Sequence, residues 1–213
     1  MENTTETKKE MPVKQKESWF YYFAIAVFKI WYAIMFKVEV IGRENIPKEG
    51  NGVICCNHYS NYDPFSVVLY IDRLPRYLAK KELFDIPIYK WMLGQVKAIS
   101  VDRQAAMDMK ALKSGLKVLK EGELLGIFAE GTRVKEGEKG DVKGGVAMFA
   151  MKGNAPVIPC AISGSYKFRS KLRIEFGEPL TLEEYRTQKL TADVIEEIAG
   201  KVMGKVEEMK VKV

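Results

Sequence analysis

The chain has 213 residues, enough for one α/β domain with a terminal appendage and a core that needs no disulfide or metal staple. Hydrophobic residues make up 47% and charged residues 29%, ordinary for a globular protein, and a net charge of +6 favours anionic partners such as nucleic acid, anionic lipid or a phosphorylated substrate. Cys55, Cys56 and Cys160 form no CxxC pair, and with a single histidine in the chain they exclude a standard zinc set and read as reduced, cytosolic thiols.

Residues 1–17 are polar, with four lysines against four glutamates, and are expected to form a disordered leader. The segment 18–36 then becomes an aromatic-rich apolar run, WFYYFAIAVFKIWYAIMF from Trp19, interrupted only by Lys29 and about as long as a bilayer span. A cleaved signal peptide does not fit, because the leader carries acids and no small-residue cleavage site follows. A spanning helix would carry Lys29 at a cost of about 2.5–3.5 kcal/mol. An interfacial helix, or helix pair, is favoured over spanning and over burial in the domain or a dimer contact. It seats Trp and Tyr at the headgroup boundary and lets Lys29 and Lys37 snorkel to lipid phosphates.

The remainder, 37–213, alternates strand and helix signals. Strands are expected over 36–41, 52–56, 76–79, 96–101, 124–129, 156–162 and 172–176, with helices over 83–94, 105–121 and 145–152. Gly122 should stop the second of these helices. Asp63-Pro64 reads as a helix start, the carboxylate as N-cap and the proline at the first helical position. Thr181 and Glu184 have capping-box spacing, and Val194, Ile198, Val202, Val206, Met209 and Val213 trace the apolar stripe of a closing helix. The fold class expected is α/β, a central mixed sheet flanked by helices, preceded by an N-terminal apolar helical membrane-binding segment.

The lone histidine, His58, lies in the polar run Asn57-His58-Tyr59-Ser60-Asn61-Tyr62-Asp63-Pro64. Imidazole exchanges protons near neutral pH, its ordinary pKa being roughly 6.5, and a carboxylate can fix its tautomer. Five positions correspond to about 140° on a helix, so His58 and Asp63 pair only if a loop folds back, and Asn57, Ser60 and Asn61 are turn formers. Cys55 and Cys56 alternate across a strand and read as core packing, with a Cys56 nucleophile beside His58 as the sharper alternative. Ligands of α/β domains gather at the carboxyl ends of strands, where the histidine loop, Arg103 and residues 130–133 are all expected.

These residues resemble a known family. Asn57-His58 through Asp63-Pro64 is similar to the NHx4DP signature of the glycerolipid acyltransferases, which include the 1-acylglycerol-3-phosphate (lysophosphatidic acid) acyltransferases. The likeness continues through Ala79-Lys80-Lys81-Glu82-Leu83-Phe84 with Pro87, Ile99-Ser100-Val101-Asp102-Arg103, Phe128-Ala129-Glu130-Gly131-Thr132-Arg133, Lys143-Gly144 and Val157-Ile158-Pro159-Cys160-Ala161-Ile162. Ala129 stands where the family has proline, and Lys90-Trp91 near a common glycine.

The resemblance implies an acyltransferase domain over 37–213. It would move a fatty acyl group from a thioester, acyl-CoA or acyl-carrier protein, to the sn-2 hydroxyl of lysophosphatidic acid, giving phosphatidic acid in phospholipid biosynthesis. It implies no cofactor or metal beyond that co-substrate. His58 would be the general base and Asp63 its orienting partner. Arg103 and Arg133 would bind the acceptor phosphate through paired guanidinium donors, with Lys80 as a third cation. Thr132 would donate to the phosphate or satisfy its own turn. Glu130 would orient Arg133 or bind a glycerol hydroxyl, and Gly131 would admit the ligand to the backbone or make a plain turn.

The lysophospholipid acceptor and the apolar segment together imply a membrane surface, at the cytoplasmic face of the cell membrane, with monotopic or peripheral attachment. Nucleic acid would explain the charge but not the motif order and is not expected as a partner. Glycerol-3-phosphate, another lysophospholipid or an amino-acid lipid are alternative acceptors, and a catalytically inactive membrane lipid-binding protein is the alternative of a different class.

Overall fold

The structure, a computed structural model, describes residues 19–211 apart from 103, 106, 107, 132 and 134–141. The leader 1–17, Arg103, Thr132 and Val213 therefore lie outside the described residues.

The apolar run forms one helix, α1 (Trp19–Met35), and the chain continues through β1 (Lys37–Ile41) and β2 (Gly52–Cys56) to a short α2 (Asp63–Val68). Next come β3 (Arg76–Lys80), α3 (Pro87–Gln95), β4 (Ile99–Val101), α4 (Met109–Lys120), β5 (Leu124–Phe128) and α5 (Gly145–Lys152). The strands β6 (Val157–Gly164) and β7 (Lys171–Phe176) and the closing α6 (Ala192–Met209) complete the domain. Among the described residues no helix is long and apolar enough to cross a membrane.

The described strands make one mixed seven-stranded sheet in the order β1-β7-β6-β2-β5-β3-β4, parallel throughout except for the β6–β7 pair. Central β2 is buried from end to end, so its sequence reads as an unbroken apolar run. Its residues alternate between two cores. Val53 and Cys55 pack with Leu119, Phe149, Ile198 and Val202 of α4, α5 and α6. Ile54 and Cys56 face the opposite layer, with Tyr32 of α1 and Val67 of α2. The neighbouring cysteines thus serve as core side chains on opposite faces, as alternation requires.

Several expected boundaries move, each for a local reason. The helix expected over 83–94 splits at Ile86, extended before Pro87, into a 3-10 turn over Lys81–Asp85 and α3. Strand β4 begins at Ile99 rather than Val96, because Lys97 turns left-handed at φ 49° and the amides of Lys97 and Ala98 return to the carbonyls of Gly94 and Leu93. Helix α4 begins at Met109, where Asp108 accepts from the amides of Lys110 and Ala111. It ends at the expected Gly122, with φ 73°. The expected capping box does not form: Leu182 precedes a 3-10 turn over Glu183–Tyr185 with no side-chain cap, and the Glu184 carboxylate pairs instead with Lys201 of α6.

Candidate active site

Because β2, β5 and β6 run parallel, Cys56, Phe128 and the chain after Ile162 end at the same edge of the sheet. The histidine loop leaves from that edge. Asn57 anchors it by closing a two-way bond with β6, donating to the Ile162 carbonyl at 3.0 Å and accepting from the Ile162 amide at 2.8 Å. The next amide, of His58, donates to Glu130 Oε2 at 2.7 Å, so the loop after β5 fixes the loop after β2.

The folded-back turn brings His58 Nδ1 to Asp63 Oδ2 at 2.8 Å. The same oxygen accepts from the amides of Tyr59 at 2.8 Å and Ser60 at 2.7 Å, and Oδ1 accepts from the Tyr166 hydroxyl at 2.8 Å. Asp63 is fully buried, while the His58 side chain is 12% exposed. A carboxylate accepts only, so the bonded Nδ1 carries the hydrogen of neutral His58 and Nε2 carries the lone pair. The N-cap role expected for Asp63 is not found: α2 starts at Asp63 itself behind Tyr62, Pro64 keeps its place in the first turn, and the carboxylate is occupied by the preceding loop.

The imidazole lies on the ring of Phe128, centroids 4.2 Å apart at 27°, and Phe128 stacks in turn on Tyr77 of β3 at 5.4 Å. In the structure the Glu130 carboxylate holds the His58 amide, a contact the sequence did not announce. Burial pushes its carboxyl above the ordinary carboxylate value, with that amide acting in the opposite sense. Gly131 sits at φ 66° in a turn closed by its own amide on the Phe128 carbonyl, with the Lys143 side chain beside it.

Arg133 is exposed. Lys80 lies 3.7 Å from Glu82, and Lys81 donates to Asp102 at 2.5 Å, tying the segment after β3 to the end of β4. The Cys56 thiol is buried and pushed up by that burial, with Cys160 beside it, which removes it as a nucleophile. Among the described residues no group of three or more His, Cys, Asp or Glu could hold a metal ion.

Sequence reasoning missed four contributors. Phe128 and Lys143 lie inside the family-like motifs, but their contacts have no sequence signature. Asn57 was read as a turn former and proves to be a clamp. Tyr166 stands outside every motif.

Comparison with known proteins follows the same residues. The sequence model of the Acyltransferase family matches residues 37–163. The 1-acyl-sn-glycerol-3-phosphate acyltransferase of Bacillus subtilis is 35% identical over 171 residues, covering 75% of this chain and 82% of its own. That of Borreliella burgdorferi is 32% identical, covering 81% and 74%. The crystal structure of the 1-acyl-sn-glycerophosphate (LPA) acyltransferase from Thermotoga maritima superimposes with a TM-score of 0.66 at 26% identity, over 89% of this chain and 80% of that one. With a histidine and a buried carboxylate bonded at the strand edge inside the matched region, the chain belongs to the acyltransferase family and is an enzyme of the 1-acylglycerol-3-phosphate O-acyltransferase class.

Proposed function

We propose that the enzyme transfers a fatty acyl group from acyl-CoA or acyl-carrier protein to the sn-2 hydroxyl of lysophosphatidic acid, forming phosphatidic acid. The observation that carries this reading is the 2.8 Å bond from His58 Nδ1 to the fully buried Asp63, which leaves Nε2 as the base. Nε2 takes the hydroxyl proton as the hydroxyl oxygen attacks the thioester carbonyl carbon. The tetrahedral intermediate then collapses with cleavage of the C–S bond, and the leaving thiolate takes the proton from the imidazolium. Asp63 holds the ring and balances its charge in between. Positioned base catalysis contributes about 10²- to 10⁴-fold, the remainder coming from proximity and oxyanion stabilisation.

In this reading Arg103 and Arg133 bind the acceptor phosphate, with Lys80 adding charge and Thr132 a hydroxyl, and Glu130 and Gly131 shape the loop that holds His58. The domain works at the cytoplasmic face of the membrane. Support for membrane contact, on whichever face, comes from α1, which turns Trp19, Tyr22, Phe23, Val27, Ile30 and Ile34 to solvent while Tyr32 docks on the domain.

The test is a labelled acyl-transfer assay with both donors against lysophosphatidic acid, glycerol-3-phosphate, other lysophospholipids and an amino-acid lipid. Lysophosphatidic acid is expected to give the highest kcat/KM, and His58→Ala should lower kcat by about 10²- to 10⁴-fold. Another preferred acceptor would move the reading within the family. Full activity in His58→Ala would remove the base assignment.

A further inference from the structure

Asp63 gathers four hydrogen-bond donors on two oxygens, and three of them come from its own loop. The fourth is Tyr166, 103 positions along the chain, on the connection between β6 and β7. A phenol has one proton. With that proton on Asp63, the 2.7 Å contact between Tyr166 and Ser66 of α2 has the serine as donor. Ser66 Oγ, which also lies 3.2 Å from the Tyr62 carbonyl, meets the Tyr32 hydroxyl of α1 at 3.2 Å, and that hydroxyl reaches the same carbonyl at 3.0 Å. Proton counting therefore directs the bonds from Ser66 through Tyr166 to Asp63, where they meet Nδ1–H of His58 coming from the other side, and leaves the Tyr32 proton shared between Ser66 Oγ and the Tyr62 carbonyl.

Tyr32, Ser66 and Asp63 are all fully buried, an environment in which linked hydrogen bonds polarise one another. Burial, reinforced by the Asp63 charge, holds the Tyr166 phenol far above its ordinary range, and burial likewise raises Tyr32. Both remain donors throughout the working pH range.

We propose that Tyr166 is a positioning residue for the His58–Asp63 dyad, and that the Tyr32–Ser66–Tyr166 relay makes the seating of the N-terminal helix part of the dyad's geometry. The inference rests on His58 being the base. Tyr166 acts through Asp63: its proton fixes Oδ1, which keeps Oδ2 aimed at Nδ1. Tyr32 lies on the helix whose outer face carries the exposed apolar residues, so a shift of that helix reaches the carboxylate through two hydroxyls.

The test uses full-length protein in phospholipid nanodiscs. Tyr166→Phe deletes one oxygen and keeps the ring that packs on Phe36, Tyr59 and Tyr62. Its kcat is expected to fall about 10- to 100-fold, the rate equivalent of losing one hydrogen bond to a charged group. KM for both substrates should stay within about twofold, since the hydroxyl acts on the dyad and not on substrate binding. His58 is the only histidine, so its downfield Nδ1–H resonance is self-assigned, and it should move in Tyr166→Phe and, by less, in Ser66→Ala and Tyr32→Phe.

A Tyr166→Phe enzyme with wild-type kcat, a loss confined to KM, or a fall in kcat with an unmoved Nδ1–H resonance would each overturn the proposal. If Tyr166→Phe does not fold, Ser66→Ala carries the same readings. If wild-type protein acylates none of the acceptors, the resonances still decide whether the relay reaches His58, and the two failures stay distinct.

Discussion

At the scale of single residues, Glu130 is the carboxylate whose charge works against the fold that holds it. It supplies the acceptor for the His58 amide, yet burial raises its carboxyl above the ordinary carboxylate value. A raised folded-state value means that the native state keeps the proton longer than the unfolded chain does. The contribution is complete below the ordinary carboxylate range and is lost as pH rises through the folded value. Glu130→Gln keeps an oxygen for the amide and removes the titration. Its Tm relative to wild type should therefore rise as pH climbs above the ordinary glutamate value, about 4.3. Glu130→Ala leaves the amide without its acceptor, at a cost of about 1–3 kcal/mol, and should lower kcat more than Glu130→Gln does. Thermal melts across pH check the first expectation and steady-state rates the second. A Tm difference that stays flat with pH would mean that Glu130 titrates alike in both states.

At the scale of elements, the imidazole inherits its position from strand packing. Gly126 of β5 lies opposite Tyr77 of β3, and a Cβ built on it would fall 2.3 Å from the Tyr77 ring. That ring supports Phe128, which supports His58. Gly126→Ala should destabilise the domain by about 1–3 kcal/mol through overpacking and lower kcat by tilting the stack. Adding Tyr77→Leu should recover part of both by making room, and a double-mutant cycle in Tm and kcat measures the coupling. Additive effects would separate the stack from the base.

This packing also shows what the sequence could reveal. Strand β2 and helix α5 were legible to the residue, because a doubly buried strand and a glycine-bounded apolar helix write their limits in composition. Asp63 was legible as His58's partner but misread as a cap, since an N-cap and a loop clamp use the same residue type. What separates them is which main-chain amides reach the carboxylate, and amides carry no sequence signal. Tyr166 was illegible because only the parallel alignment of β2 with β6, setting Cys56 against Cys160, brings the connection after β6 to the histidine loop.

Over the whole molecule, α1 has two unlike faces. Tyr32, and Phe36 just beyond the helix end, are buried against the domain, and Phe28 stacks on Phe65 of α2 with centroids 5.2 Å apart. Trp19, Phe23, Val27, Ile30 and Ile34 recur every three or four positions on the outer side, Trp19 being 78% and Ile30 64% exposed. Water gains nothing from that stripe, whereas a bilayer interface would cover it and the net charge of +6 would draw the protein to anionic headgroups. Phe23→Ser combined with Ile30→Ser should weaken partitioning onto anionic phospholipid vesicles by at least about 10-fold, each large apolar side chain being worth roughly 1.5–3 kcal/mol when fully covered. Both positions point away from the core, so Tm should change little. Vesicle sedimentation at low and high salt separates the two attractions: salt should weaken the charge-driven part in wild type and variant alike, and the serines should remove the part that survives salt. If the double variant partitions as wild type does, the stripe is not the membrane contact, and the acceptor reaches His58 without help from this helix.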